Sequence, residues 1–133
     1  MSSVNIDAEI IADIMPIMRI WHTEIIPHLC RQHLLAVWRE GLGTWAILTQ
    51  DKKGYRNHPA VKEWDGDLLG LYMRLCVIRS EMLRRGYNAK NIPCTQEQFM
   101  RLSAKQNKPW QTREEQIHVL RLKKCACTVG NIK

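Results

Sequence analysis

The chain has 133 residues, 45% of them hydrophobic and 25% charged, with a formal net charge of +7. That length is one domain with one modest core, and that composition is globular, which excludes a disordered tail or a low-complexity linker. No apolar run reaches the ~18–20 residues that span a bilayer, so no membrane-spanning helix is expected.

The charge is unevenly spread. All 20 Lys and Arg lie from Arg19 onward, whereas Asp7, Glu9 and Asp13 precede it, so the segment from Met18 carries a formal +10. A small domain this basic points to a polyanion, with nucleic acid first. The acidic start is the reverse of a secretory leader, and five cysteines without one indicate reduced thiols and a cytoplasmic setting.

In chain order, residues 3–14 read as a short acidic amphipathic helix ended by Pro16. A second helix is expected from about Pro27 to Gln50, with the proline in its first turn. At about 100° per residue, Leu34, Trp38, Leu42 and Trp45 make one apolar stripe for the core. His33 and Glu40, a heptad apart, fall within about 20° of each other, with Val37 and Thr44 on their side and Arg39 flanking. Gly41 and Gly43 each cost about 1 kcal/mol relative to alanine inside a helix, which suggests close approach of a backbone or ligand.

The next stretch, "DKKGYRNHPAVKEWDGD", reads as a long ordered loop. Its Lys52, Lys53 and Arg56 suit phosphates, and Tyr55 suits stacking or wedging; alternatively Tyr55 and His58 pin the loop to the core. A third helix is expected from about Gly66 to Arg85, with Leu68, Leu71, Leu75, Ile78 and Met82 on its core face and "RRGYN" as its stop. Capping boxes at Thr95/Gln98 and Thr112/Glu115 open two more helices, the last running to about Lys124. Arg113, Arg121, Lys123 and Lys124 on it are either phosphate contacts or a solvated basic face. The fold expected is all-α: a compact single-domain bundle of three main helices plus short ones and a long loop.

Cys125 and Cys127 beside His118 raise the question of zinc, but structural zinc wants four ligands, usually in pairs two to four residues apart. Cys30, Cys76 and Cys94 are scattered in sequence, so the thiols read as idle and no metal is expected.

"QHLLAVWRE", at Gln32–Glu40, resembles the pyrimidine-dimer DNA glycosylases of the phage endonuclease V type, which keep the same histidine, arginine and glutamate spacing. Small bacterial members are similar to it at "MRIW" (Met18–Trp21), "CRQHLL" (Cys30–Leu35), "KKGY…HP" (Lys52–Pro59), "RRGYN" (Arg84–Asn88) and "EEQ…KCAC" (Glu114–Cys127). The resemblance runs from Met18 to about Val129, so residues 1–17 read as an extension and 18–133 as the family domain.

The resemblance implies a glycosylase with abasic-site lyase activity on double-stranded DNA, needing no cofactor and acting as a monomer. A backbone amine at the mature N-terminus attacks C1′ of the damaged nucleotide and forms a Schiff base. An α-amino group, with a reference pKa near ~7.7–8.0, suits this better than lysine near ~10.4. Carried over by position, Glu40 is the catalytic carboxylate, His33 the active-site histidine and Arg39 a DNA-binding residue. The family's initiator methionine matches Met18 and its exposed amine Arg19. Removal of a methionine before a large residue is disfavoured, so the Met18 amine is the expected nucleophile. The chain departs from the phage pattern at its "CACTVGNIK" end, which lacks an aromatic-rich tail, and at Gly43, where the phage enzyme has a basic residue. The competing reading is a noncatalytic DNA-binding or damage-sensing protein with a blocked N-terminus.

Overall fold

The computed structural model describes residues 19–50, 57–105, 109–123 and 125–129. The helix expected over residues 3–14 lies outside them. Among the described residues every regular element is helical: a 3-10 turn at Ile26–His28, then α1 (Arg31–Thr49), α2 (Pro59–Trp64), α3 (Leu68–Arg84), α4 (Gln96–Met100) and α5 (Arg113–Leu122). None is long and apolar enough to cross a membrane.

The long helices α1 and α3 pack against each other, and α2 and the 3-10 turn close over them. Leu34, Trp38 and Trp45 of α1 meet Leu71, Leu75, Ile78 and Met82 of α3 in one core, with Leu42 and Leu68 packed at its margin. Both apolar stripes are therefore where the helical period puts them. The buried face of α1 is wider than that stripe: Val37 and Thr44 are also fully enclosed. The Thr44 hydroxyl tolerates this by donating to the Glu40 carbonyl one turn back, at 3.0 Å.

Gly41 and Gly43 have different reasons. A Cβ on Gly41 would stand 2.6 Å from Cδ2 of Leu75, so that glycine lets α1 and α3 approach closely. Nothing lies within 4 Å of a Cβ on Gly43. Gly43→Ala is therefore expected to stabilise the fold by up to ~1 kcal/mol. Gly41→Ala is expected to destabilise it, because Leu75 is fully buried and has nowhere to move. Opposite shifts of the two urea midpoints, at unchanged slope, check this.

The helix ends follow local chemistry. Gly86, at φ +83°, terminates α3. The Tyr87 and Gly86 N–H groups donate back to the carbonyls of Met82 and Leu83, a Schellman arrangement. Both capping boxes form, at Thr95 and Thr112. The expected long loop needs correcting in its second half, where α2 stands. Proline at its first position, the His58 Nδ1 accepting from the Ala60 N–H, and burial of Ala60, Val61 and Trp64 outweigh its weak periodicity.

Candidate active site

The site is built where a strap, residues 19–25, irregular up to His22 and then a turn leading into the 3-10 element, crosses α1. Arg19, Ile20, Trp21 and Ile25 are buried there. The Trp21 ring meets His33 edge-on at 6.2 Å, and the Arg19 backbone N–H lies close enough to the carboxylate of Glu40 to lower its pKa. The strap thus runs antiparallel to α1 from the His33 level to the Glu40 level. The start of α5 clamps it from the other side. Gln116 accepts from the His22 N–H at 2.9 Å and donates to the Ile20 carbonyl at 3.5 Å. His22 Nε2 donates to the Gln111 carbonyl at 2.8 Å, and the Arg19 Nε donates to the Gln111 side chain at 3.0 Å. Glu24 and Arg113 add an ion pair at 2.7 Å.

Glu40 and His33 occupy the edge of the buried face of α1, both half-buried. Burial pushes the Glu40 carboxyl up to about 7, against the pull of the Arg19 N–H and of the charges on Arg39, Arg19 and Lys123. Burial and Lys123 together lower the His33 imidazole. Lys123 thus acts on both members of the heptad pair. Arg39 is exposed beside them. Arg19 also places its guanidinium 5.8 Å from the Trp110 ring.

The raised Glu40 pKa has a consequence for stability. Between its ordinary value of 4.5 and about 7, the folded chain holds a proton that the unfolded chain has released. Stability therefore falls as pH rises through that window and levels off above it. Glu40→Gln removes this dependence, so its Tm relative to the wild type is expected to be higher at pH 8 than at pH 5. A constant difference across that range would contradict the burial of Glu40.

Of the other expected site residues, Met18, Lys52, Lys53, Tyr55 and Arg56 lie outside the described residues, as does Lys124. His58 is buried, caps α2 and packs edge-on against Trp110 at 5.3 Å, so it does pin the loop. Arg121 is exposed, and Arg113 is drawn to Glu24 and Glu114. Three participants were not singled out from sequence: Trp110 and Gln111 under Arg19, and Gln116 holding the strap. The only trace of them is the capping box at Thr112, which fixes where α5 begins.

The thiols depart from expectation. His33 Nδ1 lies 3.2 Å from Cys30 Sγ and 3.2 Å from Cys127 Sγ, and Cys125 joins the same cluster. Cys30 is thus not scattered from the Cys125–Cys127 pair but packed against it.

The family model for pyrimidine dimer DNA glycosylases matches residues 18–92, more than half of the chain. The chain belongs to the pyrimidine dimer DNA glycosylase family. It is accordingly a DNA glycosylase, an enzyme of DNA repair whose substrate is DNA. The match begins at residue 18, immediately before the strap, and takes in α1, α2 and α3. No curated protein and no solved structure matches the chain.

Proposed function

We propose that this glycosylase breaks the base–sugar bond of one member of an ultraviolet-type pyrimidine dimer, whose base stays tethered to its neighbour through the cyclobutane ring, and then nicks the strand as an abasic-site lyase, through a Schiff base on a backbone amine. The observation that carries this reading is the approach of the Arg19 backbone N–H to the half-buried Glu40 carboxylate, close enough to pull its pKa down. It sets a main-chain nitrogen beside a half-buried acid whose pKa of about 7 suits both giving and taking a proton near neutrality. The working unit in this reading is residues 18–133, or 19–133 once Met18 is also removed to free the Arg19 amine, acting as a monomer, with residues 1–17 an extension that is absent when the enzyme works.

The steps balance as follows. The lone pair of the free amine attacks C1′, and the C1′–base bond breaks with its electrons leaving on the base, which takes up a proton. The sugar ring opens as the C1′ imine forms. Glu40 then takes a proton from C2′; those electrons form C2′=C3′, and the 3′ phosphate departs. Water hydrolyses the imine and frees the amine. Between the two amines, that of Arg19 is favoured by its contact with Glu40, while a Met18 amine must reach one residue further. A dimer stacks and pairs poorly, so extruding it costs less than extruding a normal base.

Arg39, exposed beside Glu40, is assigned to a phosphate, and Lys52, Lys53 and Arg56 to the flanking backbone, with Tyr55 as a stacking side chain. Lys123 joins them, since its field reaches both Glu40 and His33. His33 is assigned to ordering the floor of the site, because its Nδ1 faces thiols.

Borohydride reduction in the presence of an abasic-site duplex tests the reading. A covalent protein–DNA adduct is expected, with the modified peptide beginning at Arg19. A modified peptide beginning at Met18 would move the attack by one residue. No adduct, with retained binding, would overturn the Schiff-base step and leave a glycosylase acting without one or the noncatalytic reading.

A further inference from the structure

We propose that Cys30, His33, Cys125 and Cys127 bind one structural zinc ion that pins the C-terminal tail to the start of the helix carrying Glu40. Their four donor atoms, three Sγ and one imidazole nitrogen, all lie within 4.8 Å of one another. A zinc tetrahedron with ~2.3 Å bonds to sulfur has sulfur–sulfur edges of about 3.8 Å, so closing this cluster on an ion takes movements of about 1 Å. Three thiolates and one imidazole are also the donor set that selects zinc over hard cations such as magnesium or calcium. All four ligand positions come from the protein, so none is left for a reacting water, and the ion's role is structural.

The backbone around the cluster is arranged to hold it. The Cys30 N–H donates to Cys127 Sγ at 3.0 Å, as outer-shell donors do to metal-bound thiolates. The Thr128 N–H donates to the His28 carbonyl at 2.9 Å, and its hydroxyl meets His28 Nδ1 at 3.1 Å. Val129 is 3% exposed and inserts into the core. These contacts fix Cys127 opposite Cys30. Cys30 itself is the N-cap of α1 and makes no side-chain capping bond, so its sulfur is available at the positive end of a helix.

None of the five cysteines is in a disulfide. Cys76 and Cys94 lie outside the cluster and serve as internal controls. Binding releases the protons of the three thiols to solvent, leaving a unit of net charge −1 in a basic part of the chain near Lys123. The ion adds to the contacts of Thr128 and Val129 a cross-link between residues 125–127 and the start of α1.

Metal analysis of the full chain, purified with a thiol reductant, tests the proposal without DNA. About one zinc per chain is expected. Cys30→Ser and Cys127→Ser should drop it below about a tenth, whereas Cys76→Ser and Cys94→Ser keep it. His33→Cys should retain the ion in a four-thiolate site, and His33→Ala should lose it. If the serine variants do not fold, the wild-type chain still answers. Stripping with a strong chelator should lower its Tm by ~5 °C or more, and added zinc should restore it. Cobalt should give the intense visible bands of tetrahedral thiolate coordination. Reduced wild-type chain without zinc, whose Tm ignores both chelator and zinc, would overturn the proposal, as would stoichiometric iron in its place. Neither result bears on the Schiff-base chemistry, which borohydride trapping reads separately.

Discussion

Glu40→Gln is expected to lower single-turnover nicking of an abasic-site duplex by about 100- to 10,000-fold, the range that a positioned acid–base group contributes. Glutamine keeps the size of the side chain and can still accept the Arg19 N–H bond, so the strap stays in place. It can neither remove the C2′ proton nor balance positive charge on the sugar. Affinity for the same duplex should stay within about threefold, because phosphate contacts dominate binding and the substitution only removes a negative charge. Nicking and gel-shift assays on one preparation separate the two quantities. Equal losses in both would make Glu40 a structural residue. The same variant carries the pH signature described above, so its folding and its chemistry can be read independently.

The state of the N-terminus should have an all-or-none effect. A chain in which residues 1–18 have been cleaved off exposes the Arg19 amine next to Glu40 and is expected to be trapped efficiently by borohydride on abasic DNA. The uncleaved chain holds that nitrogen in a peptide bond. Its lone pair is delocalised into the carbonyl and cannot attack C1′. No trapping above background is expected from it, although its DNA affinity should be similar, since the cationic residues are the same. Acetylating the exposed amine should return the cleaved chain to the inert state. Equal trapping by both forms would exclude a backbone amine at residues 18–19 and would point to a lysine.

What carried through from sequence to structure was local. The period of α3 put Leu71, Leu75, Ile78 and Met82 in the core, and the two Thr-led capping boxes opened α4 and α5 at the expected residues. Where local signals were weak, the outcome was set by burial. The six residues of α2 are too few for a periodic pattern, and the packing of Val61 and Trp64, added to the proline start and the His58 cap, shows why they coil. The width of the buried face of α1 was likewise underestimated. Val37 and Thr44 flank the apolar stripe, and the strap and α3 cover more of the helix than the stripe alone requires.

The sequence by itself determined an all-helical basic domain and, through the heptad from His33 to Glu40, a pair of titratable side chains on one side of a helix. It did so because helix periodicity and capping act over three to seven residues, a distance that composition along the chain records directly. Only the tertiary structure decided what those groups meet. Arg19 at the head of the strap meets Glu40, and Cys127 reaches Cys30 and His33 from almost 100 residues away. Such encounters depend on how the whole core closes, and no short-range pattern in the chain encodes them.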